Sequence, residues 1–153
     1  MVKIQGKIAL ILLLVFEVGA GHAQSLPTAT EAFNLRIKCK EMVAERDRDN
    51  FERNSKLGEF ERKLISSIYV SRYDPKTNKC YGAFSTLTLD LQDKRQVLFR
   101  SLYDLQIDEL MATWEDNNGQ KSGMVIDKYN RGKYPPDKDA AEAFINEMLS
   151  DKQ

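Results

Sequence analysis

From residue 30 onward, apolar side chains recur at helical spacing. Phe33, Ile37, Lys40 and Ala44 follow one face, and Leu35, Cys39, Met42 and Val43 lie beside it. A period near 3.6 marks an amphipathic helix, so the spacing predicts one over about residues 30–52. Thr28 followed by Glu31 fits a capping box, and Thr30 is a second N-cap candidate. Asn54-Ser-Lys-Leu-Gly58 is expected to break the helix.

The period then drops to two. Ile65–Tyr73 (ISSIYVSRY) is rich in β-branched and aromatic residues and predicts a strand. Asp74-Pro-Lys-Thr-Asn78 is turn chemistry, because proline presets φ and Asp and Asn bond their own backbone. Cys80–Leu89 predicts the returning strand, with Phe84, Thr86 and Thr88 on one side. Further strands are predicted at Gln96–Leu105 and Leu110–Glu115, with a short one at Ser122–Ile126 after the Asn118-Gly119 turn. Tyr129–Pro136 reads as irregular, and a last helix follows over about 137–151, capped by Asp137 or Asp139. Its apolar stripe is Ala141, Phe144, Ile145, Met148 and Leu149. The pattern is a single α+β domain: an antiparallel β-meander of four to five strands with an N-terminal and a C-terminal helix, at least one helix packing on a sheet face.

The first 23 residues depart from this pattern. Lys3 and Lys7 precede the apolar run Ile8–Phe16, and small residues follow it to Ala23. This is the build of a secretory signal peptide, with a core shorter than the roughly 20 residues that span a bilayer. Cleavage is expected after Ala23, with Ala20 as the alternative, so the domain is assigned to residues 24–153 and the protein to the periplasm or the medium. No further apolar run of spanning length follows, so no integral membrane segment is expected after processing.

Processing changes the chemical inventory. The whole chain balances 23 basic against 23 acidic side chains. Loss of Lys3, Lys7 and Glu17 leaves 21 against 22, net −1, which argues against a nucleic-acid partner held by a basic field. His22, the only histidine, leaves with the leader. Nucleophilic arrangements that use an imidazole base, and metal or haem sites built on histidine, are therefore not expected. Cys39 and Cys80 remain, an even pair in an oxidising compartment, and read as one structural disulfide rather than a redox pair, which favours C-x-x-C spacing.

Several groups invite a functional reading, and each has a plainer one. Asp47, Asp49 and Asn50 are oxygen-ligand types, but no turn glycine stands among them and a solvated helix face accounts for them. Asp127–Gly132 has a glycine at the sixth position of a calcium loop, yet Tyr129, Arg131 and Lys138 occupy positions three, five and twelve. Tyr69, Tyr73, Tyr81, Phe84, Phe99, Tyr103 and Trp114, interleaved with Arg72 and Arg100, resemble a base-stacking platform, but strand alternation sends about half of them to the core. Asp104, Asp108, Glu109, Glu115 and Asp116 gather at strand ends, where paired carboxylates would suit glycoside hydrolysis and where solvated acids also collect.

Cys39-Lys-Glu-Met-Val-Ala-Glu45, the hairpin Ser71-Arg-Tyr-Asp-Pro-Lys-Thr-Asn-Lys-Cys-Tyr81 and Leu102-Tyr-Asp104 together resemble small bacterial exported proteins of unknown function. The resemblance covers about residues 35–116 and implies a bacterial origin, export, and a helix cysteine paired with one on the second strand. It implies no activity. The expected function is an exported, non-catalytic binding or interaction domain whose partner is a protein or small ligand of the cell envelope. No catalytic, cofactor-binding or metal-binding residue is assigned. The alternatives are a carboxylate-based hydrolase acting on cell-wall or sugar substrates, and a small envelope enzyme inhibitor that inserts a loop such as Asp74–Asn78.

Overall fold

A computed structural model describes residues 26–57, 62–130 and 132–150. The expected leader, residues 1–23, lies outside them. Helix α1 spans Ala29–Leu57, entered through the capping box. The Thr28 amide and hydroxyl donate to the Glu31 carboxylate at 2.8 and 2.7 Å, and the Glu31 amide donates back to Thr28 Oγ1 at 3.3 Å. The hydroxyl's hydrogen bond, then the amide's, holds the Glu31 carboxyl below its ordinary pKa. The helix runs five residues past the expected 52, through Asn54 and Ser55. Polar residues of this kind cost only tenths of a kcal/mol in a helix, about 0.5 each, and no proline interrupts the stretch.

Five strands follow: β1 Arg62–Asp74, β2 Lys79–Asp90, β3 Gln96–Asp104, β4 Glu109–Asn117 and β5 Gln120–Val125. They form one antiparallel sheet in sequence order, β1-β2-β3-β4-β5. The turns are those the residues favour. Asn118 and Gly119 take φ of 50° and 90°, as a two-residue hairpin requires. Asn78 takes φ of 53° at the end of the first turn, a conformation asparagine tolerates. A short helix α2, Asp127–Asn130, occupies part of the stretch expected to be irregular, and Asn130 then ties down Tyr134 through two hydrogen bonds of 2.6 and 2.7 Å. Helix α3 spans Lys138–Leu149, with Asp137 as its N-cap accepting from the Ala140 amide at 2.8 Å.

Strand alternation divides the core in two. Tyr73, Cys80 and Phe84 point to one face and pack with Cys39 and Val43 of α1 and with Leu105. Tyr81, Ala83, Leu102, Ala112, Trp114 and Val125 point to the other and pack with Ala141, Phe144 and Ile145 of α3. The two helices thus lie on opposite faces, and the molecule has three layers. The Cys39–Cys80 disulfide joins α1 to β2 across a Cα–Cα distance of 5.4 Å. Among the described residues, no helix is long and apolar enough to cross a membrane.

Candidate docking edge

The outer side of β1 has no neighbouring strand among the described residues. Its sequence explains why this matters. Leu64–Ser71 (LISSIYVS) carries no charge, and apolar side chains stand on both faces rather than one. Ile65, Ile68 and Val70 are all exposed, Ile68 to 65%. A long apolar strand with unpaired N–H and C=O groups is a template for another strand, and natural proteins usually blunt such an edge. Here a bulge between Leu64 and Ser66 and the charged residues near the strand ends, Arg62, Lys63, Arg72 and Asp74, blunt it in part, while the register from Ser66 to Asp74 stays regular.

The two helices turn the C-terminal half of this edge into a cleft. It holds about 990 Å³, and its floor runs from Val70 to Lys76. Arg36 and Lys40, one turn apart on α1, form one wall. Leu149, at the end of α3, contributes to the other. Arg72 fixes that second wall by donating from its guanidinium to the Met148 carbonyl at 2.6 Å. Register settles which face each side chain serves. Val70 and Arg72 stand opposite Ala83 and Tyr81 and so face α3, whereas Ser71 and Tyr73 stand opposite Gly82 and Cys80 and face α1.

The cleft is basic. Arg36, Lys40, Arg72 and Lys76 line it, and Asp74 is the one carboxylate among the lining residues. Asp74 is already occupied: it accepts from the Lys76 amide at 3.0 Å and from the Thr77 hydroxyl at 2.7 Å. Partial burial pushes its carboxyl up, but the Thr77 hydroxyl, the Lys76 amide and the charges of Arg72 and Lys76 outweigh that and hold it below the ordinary value. The Asp74–Asn78 turn is braced on its other side too, by Tyr73 Oη donating to Asn78 Oδ1 at 2.8 Å and Gln106 Nε2 donating to the Asn78 carbonyl at 2.6 Å. Burial first, then the charges of Asp74 and Glu31, raises the Tyr73 phenol above its usual pKa. A second, smaller cleft of about 550 Å³ shares Pro75 and Lys76 with the first and is walled by Leu26, Pro27 and Leu35.

The acids singled out in the sequence are put to other uses. Asp104 is completely buried, not solvated as a hairpin end suggests, and accepts from Lys79 Nζ at 2.6 Å and from the Gln106 amide at 3.2 Å. Its hydrogen bond lifts the Lys79 pKa against the opposing effect of burial. Asp108 pairs with Arg46, which also lies over the Tyr103 ring. Glu109 pairs with Lys128 at 2.7 Å, and Asp116 accepts from the Gly119 amide at 2.9 Å within its turn. None of these acids lines either cleft. Asp47 accepts from the Ser67 hydroxyl at 2.5 Å and so links α1 to β1. The described residues contain no group of three or more His, Cys, Asp or Glu side chains placed to hold a metal ion.

The aromatic series does not form one platform. Tyr73, Tyr81, Phe84 and Trp114 are buried on opposite faces, Tyr69 and Phe99 are exposed, and Arg100 reaches Asn146 and Glu142 of α3. The edge cleft itself was not among the candidates the sequence raised. Its one legible sign is the uncharged run Leu64–Ser71, whose apolar residues do not respect a two-residue period. No protein-family model, curated protein or solved structure matches the chain.

Proposed function

We propose that this protein is an exported, non-catalytic interaction domain that binds an extended segment of a protein partner along the open edge of β1. The observation that carries the reading is the regular edge of β1, unpaired among the described residues, whose uncharged run Leu64–Ser71 leads into a cleft walled by both helices. Adding a strand there would satisfy the outward main-chain groups of β1, and pockets beside the edge would read alternate side chains. The disulfide fits an oxidising compartment. The apolar run Ile8–Phe16 behind Lys3 and Lys7 supplies the means of export.

A peptide library displayed on phage and panned against the oxidised domain tests the docking reading. Selected peptides are expected to be β-forming and extended, and to lose binding when Ile68→Lys and Val70→Lys are introduced together. Both side chains are exposed, so this variant should keep its stability within about 0.5 kcal/mol. Selection of no peptide, or peptides that bind the variant equally well, would count against the reading. Export is tested separately by the N-terminus of the chain recovered from the periplasm, expected to begin at Gln24 or Gly21.

A further inference from the structure

The cleft constrains which segment can dock, and the inference rests on the strand-docking reading above. We propose that the partner is an acidic extended segment in which Asp or Glu alternates with an apolar residue, the acids facing α1 and the apolar residues facing α3.

The floor from Val70 to Asp74 is five residues, about 16 Å of strand, so it seats about five residues of an added chain. Successive side chains of that chain point to opposite faces. Those turned to the α1 side meet Arg36 and Lys40, with Ser71 beside them on β1. Those turned to the α3 side meet Val70 and Leu149, and also Arg72, whose guanidinium is held by the Met148 carbonyl. One wall is therefore cationic and the other carries apolar surface, which is the requirement of a two-residue repeat. Lys76 extends the positive field beyond the end of the strand, and Asp74, the one carboxylate lining this cleft, is engaged by its own turn, as Glu31 of the adjoining cleft is by Thr28.

Charge also discriminates between occupants. A second copy of the chain, pairing β1 with β1, would bring Ser67, Tyr69, Ser71 and Tyr73 to the α1 side. None is acidic, so the added strand itself would offer Arg36 and Lys40 no counter-charges. An acidic segment supplies them, and exposed pairs of this kind contribute up to about 1 kcal/mol each.

Three fluorescent decapeptides, alternating Glu/Val, Gln/Val and Lys/Val, are titrated against the oxidised, processed chain and followed by anisotropy. Glu/Val is expected to bind about tenfold tighter than Gln/Val and to weaken as salt rises, with Lys/Val the weakest. Arg36→Glu with Lys40→Glu should invert the order of Glu/Val and Lys/Val while leaving the circular dichroism spectrum unchanged, since both side chains are exposed. Equal binding of all three peptides, or an order unaffected by the charge reversal, overturns the acidic assignment and leaves strand docking standing. Binding of none overturns both. A dimer in sedimentation velocity that Ile68→Lys dissociates would make the occupant a second copy and overturn the acidic segment.

Discussion

The α1 side and the α3 side of this sheet solve the same problem by different means. On the α3 side, ten buried residues drawn from β2, β3, β4, β5 and the helix form one cluster, with Leu102, Ala112, Ala141 and Ile145 fully enclosed. On the α1 side the cluster has six buried residues, and two of them are the bridged cysteines. The edges differ in parallel. β5 is six residues long, carries Lys121 and Gly123, and has the start of α3 seated on it: the Asp137 carbonyl and Lys138 Cα lie 2.8 Å from where a Gly123 Cβ would stand. β1 is thirteen residues long, with α1 on one face and no strand on its outer side among the described residues. A short edge with a lysine in it resists pairing, whereas a long one with an uncharged eight-residue run, Leu64–Ser71, invites it. The half held covalently is the half that keeps a surface open. A cross-link stabilises without requiring that every apolar group nearby be buried, so it is the means of support compatible with leaving β1 free.

The sharpest way to break this comparison is to remove the bridge. Closing the loop between Cys39 and Cys80, 41 residues apart, restricts the unfolded chain by about 4 kcal/mol. The double variant Cys39→Ser with Cys80→Ser should lose a stability of that order in urea unfolding, together with burial of a hydroxyl at two enclosed sites. Hydrogen exchange should show where the loss falls. Amides of α1 and β1 are expected to lose protection first, and those of β4, β5 and α3 to keep it to higher urea. Uniform loss across the sheet would mean that the two halves are one cooperative unit and that the contrast drawn between them is only geometric.

Glycines give a smaller and more local version of the same contrast. A Cβ at Gly123 would meet backbone, the Asp137 carbonyl and Lys138 Cα at 2.8 Å, so α3 must move as a body. A Cβ at Gly82 would meet side-chain termini instead, Leu105 Cδ1 at 2.9 Å and Val43 Cγ2 at 3.0 Å, which rotate more easily. Gly123→Ala is expected to cost about 2–3 kcal/mol, and Gly82→Ala about 1 kcal/mol. Thermal denaturation of the two variants measures the difference. Equal costs would show that the α1 side is packed as tightly as the α3 side.

These contrasts separate what the sequence made legible from what it did not. The helix cap at Thr28–Glu31, the five strands, the Asn118-Gly119 turn, the C-terminal stripe and the bridge all follow from local spacing or from an even cysteine count, and each stands where expected. What local spacing misses is which of two adjacent helix faces is buried. Phe33 and Ile37 have the apolar character of a core face, yet both are exposed, and Leu35, Cys39, Met42 and Val43 pack inward because the bridge turns that side of α1 to the sheet. The edge cleft was hidden for a related reason. Its walls come from residues 36–40, 70–76 and 149, and only the assembled three layers bring them together. Asp104 misled because a residue at a hairpin end is ordinarily solvated, and its burial depends on Lys79, a partner 25 positions away.

The Lys79–Asp104 pair lies where the halves meet, at the start of β2 and the end of β3, and its titration yields the smallest effect. The Lys79 side chain is 36% exposed, so solvent screens its charge and its titration removes about 1 kcal/mol or less. Asp104 is fully enclosed, and deleting the lysine outright would cost more by leaving its carboxylate buried without a cation. The direction of its pH dependence is nonetheless fixed. The hydrogen bond to Asp104 raises the Lys79 pKa in the folded chain above its ordinary 10.5. The folded state therefore holds the proton more tightly than the unfolded state does. Its contribution is complete below about 10.5 and disappears as pH climbs through the folded value. Lys79→Met keeps the aliphatic stem and removes the charge. The stability gap between wild type and Lys79→Met should be constant from pH 6 to 9 and narrow as pH climbs past about 10.5, where the neutral amine still donates to Asp104 and Met cannot. A gap that stays constant through alkaline pH would mean that Lys79 acts by packing alone, and that Asp104 is held by the Gln106 amide without help from the charge across the seam.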